Sequence, residues 1–496
     1  MSTKKHVLKH VIIGSFLLSI THFSFADENT IRKQIVSSIG QPRLNPEDRV
    51  NQFDIENNNL TIKEIRKAGM LLFSTPFNKF DGYGDGPQDL TNADNRSPGN
   101  RPTLQGNGTF MRVNGLDSQT CLECHTILSN AEVPARLGVG GVGGISQTAI
   151  VKPTNIDVSD VNNDGIAEFD GRLINPPFLF GSGGVELVGF EMTKDLQDLK
   201  QQAIENPGVS IQLLTKGVGF GTIIADSSGH IDSANIQGVD EDLVVKPFGR
   251  KGEFATVREF DIDAMAFHLG MQSTELVGVD VDADGDGVIN ELEQGDLSAL
   301  SIFNTTMDKP IATNRDDAAE LGFGLFNSIG CADCHKPQHN TQTKLLPYKL
   351  SGSNHAPFED TYYSVDLTLR PAYFEENTQG GIEVNLFSDL KKHYMGEVLK
   401  ESFSLASDKQ NGEFITARLW GIADTAPYLH DGRALTLEQA ISMHDNPGSE
   451  AAQAGSSFKA LSDEEKLNII KFLNTLRTPV RPNLDVLPRV EMHLPN

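Results

Sequence analysis

Two five-residue strings constrain this chain more than anything else in it: Cys121-Leu122-Glu123-Cys124-His125 and Cys331-Ala332-Asp333-Cys334-His335. Together they use all four cysteines of the 496 residues, and each pair is followed by a histidine. Two thiols three positions apart lie on one helical turn. They can each bond a vinyl group of a porphyrin while the next residue reaches the iron. The same cysteines could instead make two disulfides or a Cys/His zinc site. A CxxC loop is too short for an ordinary structural disulfide, and zinc would leave the paired histidines unexplained. The spacing predicts two covalently bound c-type haems, held by Cys121, Cys124, Cys331 and Cys334, with His125 and His335 as proximal iron ligands.

The first residues fit that reading. Lys4, Lys5 and Lys9 precede the apolar run Val11 to Ile20, and Ser24-Phe25-Ala26 offers a small-x-small cleavage site. This pattern predicts a signal peptide over 1–26 and a periplasmic protein without stable membrane insertion. Loss of the leader would remove three lysines and no acids, making the formal net charge of −25 still more negative. Such a charge argues against nucleic acid as a partner and suits electrostatic steering of a basic redox partner.

The length suggests more than one domain. Ala319, Phe323, Phe326 and Ile329 keep a helical period that ends in Gly330 directly before Cys331. Ile65 to Phe73 carries Gly69-Met70-Leu71-Leu72-Phe73, similar to Gly324-Leu325-Phe326, and predicts a matching helix ahead of the first haem string. A Gly-, Asn-, Asp- and Pro-rich insertion at about 75–115 separates that helix from Cys121. The glycine-rich stretch Gly138 to Gly144 lacks the strand and lysine of a phosphate loop and reads as a turn. Ser462 and Glu465 form a capping box before Leu467, Ile470, Leu473 and Leu476, an amphipathic closing helix. The expected fold is mainly α: two cytochrome-c-like haem domains, at 27–300 and 301–496, with long loop-rich insertions.

Two aspartate loops stand out in the N-terminal part. Asp282, Asp284, Asp286, Gly287 and Glu293 occupy the oxygen-ligand, turn and twelfth positions of an EF-hand loop, predicting Ca2+. Asp160, Asn162, Asp164 and Gly165 begin the same way but place Gly171 at the twelfth position.

The iron's sixth ligand decides between electron transfer and reaction with a small molecule. Thr436 and Gln439 form a capping box, after which Leu437, Ala440, Ile441 and His444 share one helical face. Just upstream runs APYLHDGRALTLEQAI, from Ala426 to Ile441. This string resembles the C-terminal signature of bacterial di-haem cytochrome c peroxidases and their relatives, the di-haem oxidoreductases above all. The resemblance covers both haem strings, RLWGIADTAPYLHDGRA, NPPFLFGSGGVELVG and the closing helix. It is specific over 320–480 and looser over 60–300.

In those relatives the residue fourteen positions after the HDG histidine ligates the second haem. From His430 that count reaches His444. The resemblance thus implies His335/His444 ligation, with Met395 as the rival sixth ligand. It also implies that the haem on His125 is the reaction centre. Glu186, at the end of the glycine-rich stretch, would be the distal acid, and His268 is the alternative cap of that iron. Arg418 and Arg433 are candidates to pair with haem propionates, since guanidinium forks fit carboxylates. One departure stands out. The peroxidases place a tryptophan between their haems, whereas the sole tryptophan here, Trp420, belongs to the RLWG string. Tyr428, phenylalanines or a direct propionate approach are then the alternatives for the electron route.

The expected function is a periplasmic di-haem c-type oxidoreductase that reduces peroxide at the N-terminal haem. Electrons would come from a small periplasmic donor, a cytochrome or cupredoxin, through the C-terminal haem. The alternatives are a di-haem electron carrier, which needs strong ligands on both irons, and a haem-dependent oxygenase like the rubber oxygenases.

Overall fold

The computed structural model describes residues 41–84, 119–128, 150–156, 169–350, 354–401 and 407–487. The expected leader, the Gly138–Gly144 stretch, the Asp160 loop and most of the 75–115 insertion lie outside these residues. The fold described below is that of the compact unit beginning at Pro42.

Helix makes up 36% and strand 13%, so the mainly α expectation stands. The strands form ribbons of two or three, such as Ser210–Thr215, Val218–Ala225 and Ile231–Asp232. Seven helices position the sites: α1 (Ile62–Ser74), α2 (Ser182–Glu205), α3 (Val257–Ala264), α4 (Gln294–Thr305), α5 (Asp317–Ser328), α6 (Leu437–Ser442) and α7 (Asp463–Leu473).

One packing device occurs twice. In α1, started by a Thr61–Glu64 capping box, the buried face carries Ile65, Gly69, Leu72 and Phe73. Gly69 lets α4 approach so closely that a Cβ there would sit 2.1 Å from the Ala299 carbonyl oxygen. Phe73 then meets Phe303 edge-on, with ring centroids 5.7 Å apart. In α5, Gly322 does the same for α7: a Cβ would lie 1.9 Å from the Asn468 carbonyl oxygen. Phe323 and Phe326 flank Phe472 at 5.0 and 5.2 Å. The partner of Gly69 is therefore Gly322, three residues before Leu325-Phe326, and not Gly324, which has open space around it.

The closing helix forms at Asp463–Leu473 behind its Ser462–Glu465 box. Its buried face is Asn468, Ile469, Phe472 and Leu473. Leu467 is exposed, and Leu476 lies beyond the helix in a strand paired with Ile311–Ala312. Of the expected stripe, Leu473 and Leu476 are buried, Ile470 is half-buried and Leu467 is exposed.

Two apolar cores follow. The first gathers α1, α2 and α4. The second gathers Phe326, Phe387, Tyr428, Leu437, Phe458 and Phe472 around α5, α6 and α7. The division expected at 300/301 falls inside α4, whose residues are almost all buried. Moreover, Leu346, Leu367, Phe374 and Leu386 return to the first core. The chain interlocks across that point instead of separating there.

Candidate haem sites

At the second cysteine string, Gly330 adopts φ +92°, which lets the chain turn sharply out of α5. Cys331–Cys334 then forms a single helical turn, and the His335 N–H donates to the Cys331 carbonyl at 2.9 Å. The imidazole of His335 is tied through Nδ1 to the Phe387 carbonyl at 3.2 Å. That of His444, just past the end of α6, is tied through Nδ1 to the Ala440 carbonyl at 2.9 Å. Each ring is thus oriented through Nδ1. A backbone carbonyl on the other nitrogen is the usual second partner of a metal-binding histidine.

Burial lowers the His335 imidazole to about 4, helped by the charge of His444, and lowers His444 as well. Both are neutral at pH 7, as ligation requires. Their ring centroids stand 6.4 Å apart. A metal–nitrogen bond of about 2.0 Å plus roughly 1.1 Å from nitrogen to ring centre puts two imidazoles on opposite sides of one metal about 6.2 Å apart. The pair is thus spaced to hold one iron between them. Met395 instead caps the short helix Gly396–Leu399.

The two arginines differ. Arg418 is partly exposed overall, yet burial of its head group alone lowers it to about 10, and among the described residues no carboxylate pairs with it. A desolvated cation without a partner is unfavourable, and a propionate would compensate it. Arg433 is already committed to Asp431 and to the Val398 carbonyl at 2.6 Å. Its expected propionate role gives way to a local ion pair, because Asp431 sits two residues away and takes the guanidinium fork.

At the first string, Thr120 anchors the turn Cys121–Glu123 to α1 by donating to the Phe73 carbonyl at 3.0 Å. His125 Nδ1 pairs with the Pro177 carbonyl at 2.8 Å. Burial and the charge of His268 lower this imidazole to about 4, so the ring is neutral at pH 7, as metal ligation requires. The residues after Pro177 enter α2, where a Cβ on Gly183 would meet the Thr305 carbonyl oxygen at 2.2 Å. That close approach seats the following turn, with Glu186, against α4.

Glu186 is 3% exposed and accepts the Val257 N–H at 2.7 Å, the first N–H of α3. Burial pushes its carboxyl up to about 8, with Asp261 and Glu259 adding repulsion. It lines a narrow cleft with Phe190, Thr305 and Tyr348. Asp261, on α3, accepts from Ser301 Oγ at 2.9 Å and Asn304 Nδ2 at 2.8 Å and is raised to about 7 by burial. Its charge also acts on Cys121 and on Glu186. Sequence reasoning missed Asp261. The signal was its place seven residues before His268, a helical repeat. The chain reaches His268 through a π-turn, Met265–Leu269, a distortion common at functional sites. Asp261 thus acts on both Cys121 and Glu186, and His268 on His125.

Trp420 is placed otherwise than the sequence suggested. It is 4% exposed, and its ring packs so closely on Gly181 that a Cβ there would lie 2.8 Å away. Gly181 ends the Pro177–Gly181 stretch whose carbonyl holds His125. Three residues before Trp420, the Ala417 backbone hydrogen-bonds His335. Phe374 lies on Trp420 at 6.4 Å. Trp420 therefore joins the segments that hold His125 and His335.

Carboxylate oxygens of Asp282, Asp284 and Asp286 all lie within 4.8 Å of one another. Glu293 does not join them. Helix α4 begins at Gln294, which leaves Glu293 as its exposed N-cap. Among the described residues, no helix is long and apolar enough to cross a membrane.

Residues 271–476 match the family described as "Di-haem oxidoreductase, putative peroxidase". The chain is 25% identical over 213 residues to cytochrome-c peroxidase IdrP2 of Pseudomonas sp. (strain SCT), covering 39% of this chain and 51% of that protein. It is 26% identical over 165 residues to cytochrome-c peroxidase IdrP1 of the same strain, covering 32% and 40%. The chain thus spans about half or less of the length of these curated relatives. Among solved structures, a MauG-like protein associated with microbial copper homeostasis aligns at 15% identity with a TM-score of 0.29, over 51% of this chain and 78% of that one. Kuenenia stuttgartiensis hydrazine synthase aligns at 15% identity with a TM-score of 0.26, over 59% and 87%.

Proposed function

We propose that this chain, a member of the di-haem oxidoreductase and peroxidase family through residues 271–476, is a periplasmic di-haem c-type cytochrome that reduces peroxide. Cys121 and Cys124 hold one haem and Cys331 and Cys334 the other, each through two thioethers. The observation that carries the reading is the contrast between the two histidine settings. His335 faces His444 at the spacing of a closed bis-imidazole site, which suits electron transfer. The string of His125 instead lies within the electrostatic reach of Asp261, which acts on Cys121 and also on Glu186, a buried acid raised to about 8.

Bound haem supplies the iron at which peroxide takes up two electrons and two protons to give two waters. The chain's own groups do the rest. The Pro177 carbonyl orients the His125 ring and holds its proton on Nδ1. Glu186, protonated at pH 7, can donate to the leaving oxygen as a general acid, and Asp261 can return a proton to it. Arg418 binds a propionate. Trp420 and Phe374 fill the space between the segments that hold the two haems and exclude water from the electron route. A small cytochrome or cupredoxin delivers electrons to the haem on His335.

The test is peroxide-dependent oxidation of a reduced donor by the holoprotein. Wild type should turn over, and Glu186→Gln should lose about 10²–10⁴-fold, the usual worth of general acid–base assistance. One observation favours a second reading, a di-haem electron carrier: His268 lies near enough to His125 to depress its charge. Absence of turnover together with two low-spin irons would select that reading.

A further inference from the structure

His339 has no place in the haem assignments above, yet it is 2% exposed and lies four residues after His335. We propose that His339 is a positioning residue for the second haem. Its ring clamps the turn Phe387–Leu390, whose first carbonyl orients the His335 imidazole, and so helps set the reduction potential of that haem. The assignment rests on the haem reading of Cys331, Cys334 and His335.

The turn is held against its own backbone preference. Phe387 and Leu390 adopt φ +55° and +57°, the left-handed region that bulky side chains rarely enter. Such a conformation persists only where its surroundings over-determine it. The Phe387 ring is fixed in the second core, with centroids 6.2 Å from Phe326 and 5.8 Å from Phe472. Its N–H donates to the Pro337 carbonyl at 3.3 Å, and the Asp389 N–H donates to the Cys334 carbonyl at 2.8 Å. The Asp389 carboxylate accepts Thr416 Oγ1 at 2.7 Å and pairs with His393 at 2.9 Å.

Between those two points His339 holds Ser388. Its Nε2 lies 2.8 Å from the Ser388 carbonyl. A carbonyl only accepts, so Nε2 carries the proton and His339 is the donor. The other ring nitrogen, Nδ1, is buried and has no partner among the described residues. An aliphatic side chain would fill this place without burying an unpaired nitrogen, which is unfavourable. The bond to Ser388 is what the histidine adds.

That bond reaches the iron ligand by two routes. Phe387, directly before Ser388, places its carbonyl 3.2 Å from His335 Nδ1. The Ser388 hydroxyl donates to the Thr416 carbonyl at 2.8 Å, and the next residue, Ala417, hydrogen-bonds His335 through its backbone. Ser388 thus ties together the two segments whose backbones hold the His335 ring. A carbonyl on the second nitrogen of a ligand histidine raises its basicity. A more basic ligand favours the more highly charged ferric iron and lowers the potential. Release of the turn would weaken this bond and raise the potential.

The test is a spectroelectrochemical titration of the full-length holoprotein, following the haem on Cys331 and Cys334, for wild type, His339→Gln, His339→Asn and His339→Leu. The Gln variant places an amide N–H near the position of Nε2. The Asn variant reaches only the position of Nδ1, and the Leu variant donates nothing. The expected result is a potential raised by at least about 59 mV, a tenfold loss of ferric preference, in the Asn and Leu variants, with the Gln variant nearer to wild type. If the Leu variant does not incorporate haem, Gln against Asn decides, because both are amides that differ in reach. Wild-type potential in the Asn variant, even with a lowered thermal melt, would overturn the assignment and leave His339 a packing residue. A Gln variant shifted as far as the Asn variant would overturn the hydrogen bond as the cause. Absence of haem from Cys331 and Cys334 in the wild type would overturn the haem reading and this assignment together. The potential is read without turnover, so failure of the peroxidase reading is told apart.

Discussion

Replacing Glu186 with glutamine tests the claim that a buried, neutral carboxyl waits beside the first haem. The folded protein holds the Glu186 proton up to about pH 8, against an ordinary value of 4.5. Between those values the folded state binds more protons than the unfolded chain, so the stability tied to this group is fully present below pH 4.5 and falls as pH rises toward 8. At about 1.4 kcal/mol per pH unit, the window is worth on the order of 5 kcal/mol. Glutamine keeps the acceptor for the Val257 N–H and removes the titration. Denaturant unfolding of the wild-type and variant holoproteins from pH 4.5 to 8.5 should show the wild type losing several kcal/mol relative to the variant. The same variant should react slowly with peroxide at every pH, while the wild-type rate falls above about pH 8. Parallel stability curves would refute the buried neutral acid, and an unchanged peroxide rate would refute its role as proton donor.

His444→Ala should open the second iron, turning its low-spin ferric signal high-spin, while Met395→Ala should leave that signal in place; electron paramagnetic resonance of both variants reads this. Trp420→Leu should slow electron transfer between the haems without changing haem content, as seen by stopped-flow absorbance after rapid reduction. Gly322→Ala would push α5 off the Asn468 carbonyl and cost about 1–3 kcal/mol of overpacking, measured as a lowered denaturation midpoint at unchanged slope. Arg418→Gln should disturb the haem environment more than Arg433→Gln, whose wild-type side chain already has Asp431; visible absorption and reduction potential compare the two.

Features that depend on local spacing were legible in the sequence. The two CxxCH strings and the Thr436 and Ser462 capping boxes follow from a few adjacent positions, and the structure shows the corresponding turns and helices, while His444 falls just beyond the end of α6. Features set by tertiary approach were not legible. Nothing within the RLWG string reveals that Trp420 lies on Gly181, because the contact joins residues more than two hundred positions apart. Arg418 and Arg433 look equivalent as residues, and only the neighbouring Asp431 separates them. Loop spacing set Glu293 beside the three aspartates, whereas in the structure Glu293 is the exposed N-cap of α4, which begins at Gln294. That α4 runs through residues 300 and 301 was not legible for a similar reason: its close approach to α1 at Gly69 depends on long-range packing, not on a local composition shift.

Low-temperature electron paramagnetic resonance of the oxidised holoprotein, before and after stoichiometric peroxide, tests the division of labour between the haems most directly. The account predicts a low-spin signal from the His335/His444 haem that peroxide leaves in place, and a signal from the His125 haem that peroxide changes or removes. Two low-spin signals indifferent to peroxide, and unchanged after half-reduction, would contradict it and leave an electron carrier.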